Sequence, residues 1–159
     1  MRLKLLPAWT LVSACLLISA GAAAQSGPPA SARQLQPLLE EMLAAANAHD
    51  TERFLAPYVH DSTLVMVFNG MLVVGYDSVR ALQLKWWNGG HSDVVYSRRG
   101  APRYTVLGPG AIVITDPLRS QRKDSTGVVR TGDFAATSVW QKRAEGWRIV
   151  AVHESTVGH

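Results

Sequence analysis

Cysteine is almost absent: Cys15 is the only one in 159 residues, and it sits in an N-terminal apolar stretch. Disulfide staples, cysteine-bound metals and thiolate catalysis therefore have no material in the rest of the chain. Charge of either sign is sparse as well. Lys and Arg number 16 against 12 Asp and Glu, a formal net charge of +4. The positive side chains are scattered, clustering only at Arg98-Arg99 and from Arg119 to Lys123, which is too mild a field for a nucleic-acid partner. Metal-ligand spacings such as His-x-His or His-Glu-x-x-His do not occur, so no metal or other cofactor is expected. No Gly-x-Ser-x-Gly elbow presents a nucleophilic serine.

What the N-terminus does contain is an export signal. Arg2 and Lys4 precede an apolar run from Leu5 to Ala20, and Ala22-Ala23-Ala24 stands before Gln25. This is the order of a secretory leader, with cleavage expected after Ala24. The run is short for a membrane span of about 20 residues, and no basic stop-transfer cluster follows it. An alternative is lipidation, because Val12-Ser13-Ala14-Cys15 resembles a bacterial lipobox, although Leu16 to Ala24 stays apolar after that cysteine. Cleavage after Ala24 removes 24 of the 159 residues and leaves 135, and the loss of Arg2 and Lys4 lowers the net charge from +4 to +2. The expected location is the periplasm or the exterior, with no membrane contact after cleavage. Residues 25–32, rich in Pro, Gly and Ser, read as a disordered linker.

A single domain is expected over 33–156. Leu35, Leu38, Leu39, Met42, Leu43 and Ala46 recur every three or four residues and predict an amphipathic helix to about His49. Asp50 or Thr51 can cap a short second helix that Pro57 ends. Ser62 to Phe68 and Met71 to Val74 flank Asn69-Gly70, a strong hairpin signal. Ser78 to Trp87 predicts a third helix with Val79, Leu82 and Trp86 on one face, ended by Asn88-Gly89-Gly90. Long strands follow at about 93–107, 111–122, 127–142 and 147–155, with turns at Gly108-Pro109-Gly110, 124–127 and Ala144-Glu145-Gly146. The fold class is α+β, with helices packed on one curved sheet.

Two segments carry a family resemblance. Phe54-Leu-Ala-Pro-Tyr-Val-His-Asp-Ser-Thr-Leu through Gly70 to Gly75-Tyr-Asp-Ser-Val resembles the opening of nuclear-transport-factor-2-like domains. Ser138-Val-Trp-Gln-Lys-Arg-Ala-Glu-Gly-Trp-Arg-Ile-Val-Ala-Val-His-Glu-Ser155 is similar to the last hairpin of the SnoaL-like and domain-of-unknown-function-4440 branch, and of the calmodulin-dependent kinase association domain. The resemblance implies a cone-shaped fold in which three N-terminal helices pack on a curved, mostly antiparallel sheet. It says little about activity, because this fold hosts isomerases, dehydratases, cyclases, hydrolases and binding modules. Ketosteroid isomerases of the superfamily need a helix tyrosine, a base aspartate and a protonated aspartate; Met42, Met66 and Ser138 stand at those places. A thioether cannot accept a proton, so that chemistry is excluded.

Strand alternation selects the side chains that face the cone's interior. On one face lie Leu64, Met66 and Phe68; Ile112, Ile114, Asp116 and Leu118; Phe134, Ala136 and Ser138; and Val150, Val152 and Glu154. The expected cavity is apolar, with Met42 and Trp86 from the helices, and suits a small hydrophobic or amphipathic ligand. Its polar points are Asp116, Ser138 and Glu154. Glu154 reads either as an acid/base group raised by desolvation or as the partner of Arg98 or Arg119 in an ion pair. Asp116 is the second candidate carboxylate, and Ser138 a hydrogen-bonding group. His60 is expected at the cone's mouth. His153 falls on the opposite face, where these domains often pair, so a homodimer is expected. Of Trp86 and Trp87, one should be buried and the other rim the cavity or cover a partner. A lyase or isomerase using the two carboxylates, or a non-catalytic homodimeric binding or assembly module, both remain open.

Overall fold

A computed structural model describes residues 28–156. The leader, Cys15 and the start of the linker lie outside the described residues. The folded part begins before residue 33: Ala30–Leu35 form a 3-10 helix with Ala32 and Leu35 fully buried, and Trp147 Nε1 donates to Gln34 Oε1 at 3.3 Å. Small apolar side chains anchor a stretch whose Pro/Ser composition reads as linker.

Helix α1 is Gln36–Asn47, with Pro37 in its first turn, where the missing N–H costs nothing. Its apolar stripe buries Leu39 and Ala46. Helix α2 is Thr51–Leu55, and Asp50 caps it by accepting from the Arg53 N–H at 3.1 Å. Strands β1 (Val65–Phe68) and β2 (Met71–Val74) form the hairpin expected around Asn69-Gly70. Both turn residues hold positive φ, 45° and 85°, the geometry that matches the twist of the strands and that Asn-Gly tolerates. Helix α3 is Tyr76–Trp86.

The stretch expected as one strand over 93–107 is two, β3 (Val95–Arg98) and β4 (Arg103–Gly108). Residues 99–102 interrupt it, Pro102 among them. Both halves pair with β5 (Ala111–Lys123), which pairs in turn with β6 (Val129–Arg143), and β6 with β7 (Gly146–Thr156). The sheet order is β2-β1-β7-β6-β5-β3, with β4 beside β5, and β1 runs parallel to β7. The sheet is curved and unclosed, and the helices cover one face of it.

The core lies between them. Tyr58, Leu64, Met66, Ile112, Ile114, Trp140 and Ile149 are all nearly inaccessible, each contributing about 1.5–3 kcal/mol by leaving water. A smaller cluster joins Ala46, Trp87 and Val94. Register across the sheet is interrupted twice, between Val106 and Gly108 on β4 and between β6 and β7, where Val139 opposes Ala151 but Trp140 opposes Ile149. The extra residue, Val150, is a β-bulge. It reverses the alternation beyond it, so Ile149 rather than Val150 is the inward side chain before Val152.

Candidate functional site

Three strands set the polar row of the interior. Asp116 pairs with Ala136 on β6, and Ala136 with Glu154 on β7. Facing residues share a side of the sheet, so both carboxylates flank Ala136, about 10 Å apart at the ordinary strand spacing. The next row is Ile114, Ser138, Val152 and Met66. Above these rows a cavity of about 110 Å³ opens between sheet and helices, room for on the order of six to eight non-hydrogen atoms.

Helix α1 contributes Leu39, Met42, Leu43 and Ala46 to its wall, and α3 with the residue after it contributes Gln83, Trp86 and Trp87. Phe54 and Tyr58 close one side; Phe134, Ser138, Ile149 and Val152 line the sheet. One wall is aromatic throughout. Phe54 meets Trp87 edge-on at 5.1 Å, Trp87 stands 6.4 Å from Tyr96, and Tyr96 meets Phe134 edge-on at 6.2 Å. Trp87 Nε1 donates to the Tyr96 hydroxyl at 3.1 Å, which fixes both rings. Trp87 is buried, while Trp86 keeps some exposure and rims the cavity.

The Glu154 side chain lines this cavity, and its carboxyl makes no hydrogen bond or ion pair to any described residue. Desolvation raises its carboxyl from 4.5 to about 7. Its charge also acts on the Tyr58 and Tyr96 phenols, both raised first by burial and further by Glu154. Neither arginine expected as its partner reaches it. Arg119 lies one residue beyond the inward Leu118, hence on the other face, where it donates to the directly opposite Asp133 at 2.7 and 3.0 Å. Arg98 faces inward but is taken by Asp116: Nε donates to Oδ2 at 2.8 Å and to Oδ1 at 3.1 Å. Its other nitrogens donate to Glu40 at 2.7 Å and to the Leu39 carbonyl at 3.0 Å. Burial raises the Asp116 carboxyl, and Arg98 offsets this only in part.

Asp116 is therefore half of an ion pair rather than a free second carboxylate. Ser138 is committed too, receiving the Trp140 indole N–H at 2.9 Å. Met42, Trp86, Phe134 and Val152 line the cavity as expected from the sequence. Met66 and Ile114 are packed into the core beneath it and do not line it. Phe68 packs on Trp86 at 4.6 Å, outside the lining. His60 is also elsewhere. It stacks on Tyr76 at 4.0 Å, beside a separate polar depression with Asp61, Arg143, Glu145 and Arg148. The bridge between Tyr58 and Ile149 seals the chain before His60, which turns that histidine away.

Three polar members were missed from the sequence: Tyr96, whose hydroxyl Trp87 holds, and Tyr58 and Gln83. Tyr58 is 1 % and Gln83 4 % exposed; both line the cavity, and neither side chain bonds a described residue. Gln83 lies four residues after Val79 and four before Trp87, on the apolar stripe of α3. A glutamine on that stripe was the available signal.

Helices over the concave face of a curved, open sheet, with a cavity between, define the nuclear-transport-factor-2-like class of α+β domains. Within it, the chain belongs to the calcium/calmodulin dependent protein kinase II association domain family, whose sequence model matches residues 31–158. No curated protein sequence matches it. Among solved structures, a nuclear transport factor 2-like superfamily protein from Salmonella enterica is similar, with a TM-score of 0.68 at 16% identity, over 81% of this chain and 92% of that one. A ketosteroid isomerase-like protein from Erwinia carotovora has a TM-score of 0.63 at 18% identity, over 79% and 95%. The association domain of Caenorhabditis elegans CaMKII has a TM-score of 0.63 at 20% identity, over 77% and 93%. At these identities the likeness is one of fold.

Proposed function

We propose that the chain is an exported small-molecule-binding domain whose site is the cavity, with Glu154 exchanging a proton with the ligand as general acid or base of a lyase or isomerase. The observation that carries this reading is the unpartnered Glu154 carboxyl inside a largely apolar wall. Glu154 is partly buried, and a structural glutamate drawn this far from water would ordinarily be held by a cationic partner, since withdrawing an isolated charge from water is costly. A carboxyl held near neutrality can both give and take a proton. Asp116 serves this scheme by holding Arg98, not by transferring protons. Support for export comes from residues 1–24 alone. The test is mass spectrometry of small molecules that co-purify with the protein, repeated on Glu154→Gln. The variant should fold normally and lose the co-purifying species or bind it at least tenfold more weakly; unchanged retention removes Glu154 from the site.

A second reading is a homodimeric assembly module. It is favoured by the association-domain match and by exposed apolar side chains such as Leu72, Val95, Leu107 and Val129. Light scattering should give twice the chain mass; a stable monomer would remove this reading.

A further inference from the structure

We infer that the cavity takes a small organic cation, an alkylammonium ion seated between the Glu154 carboxylate and the aromatic wall of Phe54, Trp87, Tyr96 and Phe134. This rests on the cavity being the ligand site and specifies the charge of its occupant. Three charged side chains line the space: Arg98, Asp116 and Glu154. The first two cancel, because Arg98 places its donors on Asp116, Glu40 and the Leu39 carbonyl. The guanidinium charge is already shared by the Asp116 and Glu40 carboxylates, so the lining carries no unshared positive charge for an anionic ligand, which would also meet Glu154 as a like charge.

A neutral hydrocarbon would cover the rings but leave the polar atoms of Glu154, Gln83 and Tyr58 unmatched in a space closed on most sides. An alkylammonium ion matches both halves. Its charge faces the one carboxylate without a partner, and aromatic faces attract cations through their ring quadrupole, more strongly where water is excluded. The Gln83 carbonyl and Tyr58 hydroxyl oxygens are further acceptors on the same wall. The cavity's size, about 110 Å³, fits a head group with a short chain.

Three probes of one shape test this on the purified full chain by calorimetry near neutral pH: choline, the neutral alcohol in which carbon replaces its nitrogen, and the anion tert-butylacetate. A primary amine, isoamylammonium, serves as a second cation. At least one cation should bind tenfold or more tightly than the neutral alcohol, and the anion most weakly. Glu154→Gln should erase the preference for the cation while leaving the alcohol's affinity within about threefold. If the alcohol equals both cations, or the anion binds best, the cation inference falls and the cavity stands as a ligand site for another class. If none of the four binds at millimolar concentration, the cavity reading falls and takes this inference with it.

Discussion

Replacing Glu154 by glutamine keeps the shape of the side chain and removes its charge, so the change in stability should depend on pH in a way the cavity dictates. In the folded protein the carboxyl titrates at about 7 instead of 4.5. Between those values the folded state holds a proton that the unfolded chain has released. Stability therefore falls as pH rises through this window, and levels off above it. At ~1.4 kcal/mol per pH unit, the interval corresponds to ~3.5 kcal/mol at most. Access of water to the cavity reduces this, and ~1–3 kcal/mol is the expected range. Glutamine is neutral throughout. The variant should match the wild type near pH 4 and exceed it above pH 7 by that amount, or by roughly 5–10 °C in Tm for a domain of this size. Urea unfolding followed by tryptophan fluorescence at several pH values measures it. The difference between the two proteins isolates Glu154, because the rest of the chain is common to both. Parallel stability–pH curves for the two proteins would refute the assignment of a desolvated, unpartnered carboxyl.

Two other perturbations address the rest of the site. Asp116→Asn leaves Arg98 without its main counter-charge in a half-closed environment and should destabilise by ~3 kcal/mol, whereas an Arg98→Met/Asp116→Leu double variant should recover most of that loss; denaturant melts of the three proteins decide it, and a double variant no more stable than Asp116→Asn would contradict the pairing. Ala136→Leu places an isobutyl group between the two carboxylates, so probe binding should vanish while the unfolding free energy from urea melts stays within ~1 kcal/mol of wild type or rises; retained affinity would place the ligand elsewhere.

Much of the site was legible in the chain because a strand's two-residue period is rigid. Asp116, Ala136, Ser138 and Glu154 reach one face by alternation alone, and β5–β7 have the register to line them up. The sequence left Arg119 open as a partner for Glu154, although the same period sets 119 and 118 on opposite faces. Asn69-Gly70 made its turn, and the α1 stripe buried the face its spacing implied, because these are contests settled between near neighbours. His60 failed for a related reason: it belongs to no strand, and no period governs where a loop residue turns.

The remaining features depend on which elements meet. Val150 bulges because Trp140 must oppose Ile149, a demand of packing that no local pattern encodes. Gln83 is buried because α3 lies over the sheet with that stripe inward; its place on the stripe is a local signal, but only the docking of the helix takes it out of water. Arg98 is the clearest case. Its sequence context offers it Asp116 and Glu154 alike, and both face the interior. The β3–β5 pairing sets Arg98 opposite Leu118, diagonal to Asp116, while Glu154 lies two strands farther across the sheet. The sequence by itself determined an apolar cone with carboxylates inside it. The tertiary structure decided which carboxylate is neutralised and which is left without a partner among the described residues, because an ion pair forms by distance, and distance between strands exists only once the sheet is assembled.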